Sequence, residues 1–153
     1  MQKLRRQTQP NSLSCIATCL AMLTHRPASF IDQEFTQKYT DQKTDIPMFL
    51  SFYGIMCKPG LAAGIHNLHQ GKLYLATVPS LMTSGLFHQV IIDTRFGIID
   101  VYDPAEGFSK TSQYYIRPDS PKLDHDDPTY DKLAFPLRTW ILDYEIMMVK
   151  DGR

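Results

Sequence analysis

"QTQPNSLSCIATCLAML", residues Gln7 to Leu23, holds a cysteine at the head of an apolar run and a glutamine six positions before it. From Cys15 to Leu23 nearly every residue is apolar or small, Thr18 being the exception. Ser12 or Ser14 can cap a helix running from about Cys15 to Thr24, and Pro27 stops it shortly afterwards. A helix apolar on all sides has to be buried on all sides, so this one is expected at the centre of the molecule. Cys15 then has two readings. It is a small core residue, as free cysteines commonly are. Or it is a nucleophile at the positive end of a helix dipole, where thiolate is favoured over thiol.

The surrounding chain is ordinary in composition. Its 153 residues suit one domain, 1–153, with a sizeable core. Hydrophobic residues make up 43% and charged ones 21%, a globular balance. Sixteen basic residues offset sixteen acidic ones, so no overall field favours nucleic acid or a membrane surface. Lys3, Arg5 and Arg6 form a short basic cluster, read as a solvated terminus. No apolar stretch approaches the roughly 20 residues that span a bilayer. A cytoplasmic protein is expected, with delivery or secretion by a leaderless route as an option.

Cys15, Cys19 and Cys57 are an odd number without framework spacing, so reduced thiols are expected. His25, His66 and His69 lack finger spacing to the cysteines, and neither metal nor other cofactor is expected. Cys19, one turn deeper than Cys15, is read as core. His66 and His69 flank a loop in "GIHNLHQG" without an assigned role.

Downstream, Ser29 to about Thr40 is expected to form a more polar helix with Phe30, Phe35 and Tyr39 as core contacts. Asp45 and Pro47 open a short helix ending near Gly54. "GIMCKPG" reads as an extended segment closed by a Pro-Gly turn. "KLYLATVPS", "FHQVIID" and "GIIDVYDP" are strand-like, with Thr94 to Gly97 turning between the last two. "TSQYYI" and "TWILDYEIMMV" add two further strands, with Trp140 as core or strand-edge packing and Met147-Met148 in a packed strand. Residues 117–132, proline-rich and acidic, read as a surface loop. Helices first and an antiparallel sheet second is the α+β arrangement.

Four residues then line up. Cys15 starts the buried helix, His88 begins one strand, and Asp103 ends the next, with a hairpin between them. An imidazole beside a carboxylate can take a thiol proton and return it to a leaving group. Gln9, with the Cys15 backbone N–H, can supply an oxyanion hole. Asp100 is the alternative carboxylate. Each residue alone has a structural explanation: a core thiol, a satisfied histidine, a turn-starting Asp before Pro104. Their joint occurrence on elements suited to the roles points to catalysis.

This pattern, Gln9, then "SCIATCLAML", "HQVIID" and "IIDVYDP", resembles the papain-like leader peptidases that process bacteriocins after a double glycine. The similarity covers roughly residues 5 to 116. It implies a papain-like cysteine peptidase fold, with Cys15 as nucleophile, His88 as base, Asp103 as orienting acid and Gln9 as oxyanion donor. That family usually carries Asp-Cys-Gly at the nucleophile, whereas this chain has Ser14-Cys15-Ile16. A branched side chain after the nucleophile reshapes the site, which weakens the double-glycine preference and leaves the broader class. The resemblance thus implies a cysteine hydrolase cleaving a peptide or isopeptide bond in a protein or peptide substrate. The same scaffold supports a glutamine deamidase or acyl transferase that modifies a partner protein. A non-catalytic binding module is a third option, and it has no need for all four residues.

Overall fold

The computed structural model describes residues 2–60, 68–108, 113–115 and 134–148. His66 and the 117–132 segment lie outside these residues. Helix α1 spans Cys15–Thr24 and buries every residue from Ala17 onward. Its interior hydroxyls are satisfied along the helix: Thr18 Oγ1 donates to Ser14 O at 2.8 Å and Thr24 Oγ1 to Leu20 O at 2.8 Å. His25 closes it in the left-handed region at φ 58°, with Arg26 N–H returning to Ala21 O at 3.1 Å. Pro27 follows, as the sequence requires.

The expected helix over Ser29–Thr40 is three pieces: α2 (Ala28–Ile31), a π-helical turn (Asp32–Thr36) and α3 (Gln37–Thr40). Ile31 and Phe35, four residues apart, take the inward face. Phe35 is buried, but Phe30 is 44% and Tyr39 39% exposed, which corrects the expectation that all three are core. Tyr39 still stacks on Phe35, ring centroids 4.9 Å apart. Helix α4 (Ile46–Ser51) starts where Asp45 Oδ1 accepts Met48 N–H at 2.8 Å, and Gly54, at φ 75°, turns the chain into the sheet.

The strands are β1 (Ile55–Pro59), β2 (Leu73–Pro79), β3 (Phe87–Asp93), β4 (Asp100–Tyr102), β5 (Gln113–Tyr115), β6 (Ala134–Pro136) and β7 (Ile141–Met148). Five form an antiparallel sheet in the order β1-β7-β2-β3-β4. The last strand is thus inserted between β1 and β2. The β3–β4 turn covers residues 94–99, longer than expected, and β4 is correspondingly shorter. Strand β5 does not join the main sheet but pairs in parallel with β6. One face of the main sheet, carrying Leu73, Leu75, Ile91 and Ile146, packs on the helices. The other, with Ala76, Val78, Val90 and Ile92, packs on Tyr114, Leu137 and the buried Trp140.

Two backbone details shape the sheet. In β7 the register to β2 shifts between Leu75 and Ala76, which pair with Tyr144 and Leu142, so Asp143 is the extra residue of a bulge. Beside it, Gly60 N–H donates to Asp143 O at 2.9 Å, and a Cβ on Gly60 would stand 2.0 Å from the Leu142 carbonyl oxygen. The sequence suggests a turn glycine here, but its need is close approach of two backbones. Gly60→Ala should therefore destabilise the fold by about 1–3 kcal/mol through overpacking against backbone that cannot give. A urea-unfolding midpoint equal to the parent's would refute this.

Candidate active site

Lys3, Arg5 and Arg6 are exposed, as expected, yet the N-terminal segment is tied down by hydrogen bonds. Arg6 donates to Val101 O at 2.8 Å and to Asp100 at 2.7 Å, and lies over the Tyr102 ring, 4.2 Å from its centroid. Gln7 spans to the α1–α2 link, donating to Arg26 O at 2.7 Å and accepting Ala28 N–H at 2.8 Å. Thr8 bonds Glu106 O, and Gln9 N–H donates to Pro104 O at 2.8 Å. These bonds bring Gln9 to the residue after Asp103. They also assign Asp100 to Arg6, which leaves Asp103 as the carboxylate for histidine.

His88 and Asp103 are both buried, and His88 Nε2 lies 2.6 Å from Asp103 Oδ1. Asp103 is held on both oxygens: Oδ1 also accepts Ala105 N–H at 2.9 Å, and Oδ2 accepts Tyr114 N–H at 2.9 Å. Tyr114 in turn donates its hydroxyl to Pro79 O at 2.7 Å, tying β5 to the end of β2. Nothing in the sequence marks Tyr114 for this, because the group that holds Asp103 is backbone. With Nε2 committed to Asp103, Nδ1 is the nitrogen left for a thiol proton.

The His88 pKa is raised from 6.5 to about 9. Burial is the largest single influence and would lower it, but the Asp103 hydrogen bond, an interaction with Cys15 and the charges of both partners together outweigh it. At neutral pH the imidazole is therefore protonated, against the buried Asp103 carboxylate. The raised value gives a stability contribution that is full below pH 6.5 and disappears as pH rises through about 9.

Cys15 is half-buried at the first position of α1. Ser14 occupies the cap position but makes no side-chain cap bond; its hydroxyl turns back to Asn11, donating to Asn11 O at 3.0 Å and accepting Asn11 N–H at 3.2 Å. Ser12 does not cap either. The expected cap is thus missing, and the Cys15 N–H has no acceptor among the described residues. An open helix start suits an incoming anion. Gln9 is 1% exposed. One of its amide hydrogens goes to Asn11 O at 2.8 Å, the other takes no partner among the described residues, and its Oε1 is buried without one.

Cys19 is fully buried, its thiol donating to Gln89 O at 3.5 Å. Burial raises its pKa well above the usual thiol value, with the charges of Cys15 and Asp103 adding to it. It is a core residue, as read. Cys57 is half-buried, its pKa raised by burial and then by Asp45. His69 lies apart from the site, its backbone N–H on the Tyr74 hydroxyl at 3.2 Å. Among the described residues no group of three or more His, Cys, Asp or Glu could hold a metal, and no helix is long and apolar enough to cross a membrane. Comparison with models of protein families, with curated proteins and with solved structures finds no match.

Proposed function

We propose that this chain is a papain-like cysteine hydrolase that cleaves a peptide or isopeptide bond in a protein or peptide substrate. One observation carries the reading: a buried His88–Asp103 pair at 2.6 Å whose imidazole also interacts with Cys15 at the uncapped start of α1. The thiolate attacks the acyl carbon, and the carbonyl π electrons move onto oxygen. The Cys15 N–H and the second Gln9 amide hydrogen are the donors for that oxyanion. Protonated His88 gives its proton to the leaving amine as the C–N bond breaks, leaving a thioester. Neutral His88 then takes a proton from water, whose oxygen displaces the thiolate and releases the acid. Asp103 holds the ring and stabilises its charged form throughout.

Incubation with a mixed-sequence peptide library, read by mass spectrometry, tests the reaction. New chain termini are the expected result. A gain of about one dalton without cleavage, replacing amide by acid, would replace this reading with deamidation.

Gln9→Ala removes one oxyanion donor and should lower kcat by about 10²–10³-fold with little change in KM. A raised KM with kcat unchanged would make Gln9 a substrate contact.

A further inference from the structure

Beyond the four residues of the site, the sheet carries a second arrangement on its helix-facing side. The bulge in β7 places Asp143 on the same face as Tyr144, and there its Oδ2 accepts the Thr77 hydroxyl at 2.6 Å and the Gln89 amide at 3.1 Å. Thr77 pairs with Gln89 across β2 and β3 and with Ile141 across β2 and β7, so these side chains share one row. Gln89 follows His88 directly, and its carbonyl receives the Cys19 thiol, one helical turn (about 6 Å) from Cys15. His88 itself points to the opposite face, but the row begins on the strand that carries it, and that strand packs against α1, the helix that Cys15 starts.

Its chemistry is unusual for a structural contact. Asp143 is half-buried, held by two neutral donors, and has no cation partner among the described residues. Glu145, two residues on, meets both Lys72 at 3.0 Å and Lys58 at 3.7 Å. The same face ends in bare apolar surface: Phe87, level with Pro79 beyond Thr77, is 72% exposed and Ile141 49%. An uncompensated carboxylate bordered by an exposed aromatic and an aliphatic side chain fits a long side chain with an apolar stem and a cationic head. Bulges recur next to active sites, where they re-aim one side chain.

We propose that Asp143, Thr77 and Phe87 form a specificity subsite that takes a lysine or arginine side chain of the substrate close to the bond being cleaved. The proposal rests on Cys15 as nucleophile. The ammonium or guanidinium meets the free Asp143 oxygen, Thr77 and Gln89 keep the carboxylate in place, and Phe87 covers the stem.

Peptidyl chloromethyl ketones carrying arginine, norleucine or glutamate at each of the two residues nearest the reactive carbon test this, with Cys15 labelling rates read by mass spectrometry. The arginine probe should label about tenfold faster than the norleucine probe at one of the positions, the size expected of one half-buried charge pair. Asp143→Asn keeps an acceptor for Thr77 and Gln89 while removing the charge, and should bring that ratio within about twofold. Phe87→Ala, at an exposed position, should reduce it in part. Equal arginine and norleucine rates in the parent, or a preference that survives Asp143→Asn, would overturn the subsite. Iodoacetamide, which has no side chain to select, separates the two levels. If it alkylates Cys15 no faster than Cys57, the nucleophile reading itself fails and the subsite with it.

Discussion

Cys15→Ala is expected to abolish turnover while leaving the fold intact. Position 15 is half-buried at the first residue of α1, and the buried packing of that helix begins at Ala17. Alanine is a good helix former, so the loss is of chemistry and not of core. Cys19→Ala should keep the activity of its folded fraction, since that thiol is sealed in the core and its raised pKa keeps it protonated. Cys57→Ser should keep activity too. Circular dichroism and urea unfolding report the fold, and release of new peptide termini reports turnover. Parent-like turnover by Cys15→Ala would remove the mechanism.

The second large effect belongs to His88. His88→Ala should lower kcat by about 10⁴-fold or more, because one imidazole serves as acid in acylation and base in deacylation. It also leaves Asp103 buried without its main side-chain partner, so some loss of stability should accompany it. Asp103→Asn is the more informative partner variant. The acid step needs His88 protonated, and its pKa is about 9, so the parent's rate of acylation should fall as pH rises through about 9. Replacing the Asp103 carboxylate weakens the largest influence that raises that value, its hydrogen bond, and removes its charge, so the alkaline limb should move toward neutrality. An Asp103→Asn profile superimposable on the parent's would show that Asp103 does not act through His88. A severe Asp100→Asn with a mild Asp103→Asn would shift the carboxylate to the other aspartate, against the Arg6–Asp100 contact at 2.7 Å.

How much of this is legible in the sequence follows from range. The bounds of α1 are local: an apolar run between Ser14 and Pro27 has little freedom to be anything else. The His88–Asp103 pairing is nearly local, because two adjacent antiparallel strands bring those ends together whatever the loop between them. The place of β7 is not legible. "TWILDYEIMMV" reads as a strand, but its insertion between β1 and β2 depends on contacts some seventy residues distant in the chain. The bulge at Asp143 and the close approach at Gly60 follow from that insertion and are invisible for the same reason. The misreading of Phe30 has a local cause, since Ile31, four residues before Phe35, takes the inward face and Phe30 beside it is turned outward. The missing cap at Ser14 is a case where a residue type suits one role and its hydroxyl takes another, on Asn11.

The central claim, that His88 activates Cys15, is tested most directly without any substrate. Cys15 and Cys57 are both half-buried, so exposure does not separate them, and they serve as site and internal reference in one molecule. Iodoacetamide alkylation of the folded protein at neutral pH, followed by peptide mass spectrometry, gives both rates. Cys15 is predicted to react at least about tenfold faster than Cys57, and His88→Ala to abolish the difference. Equal rates in the parent, or a fast Cys15 that is indifferent to His88→Ala, would contradict the account.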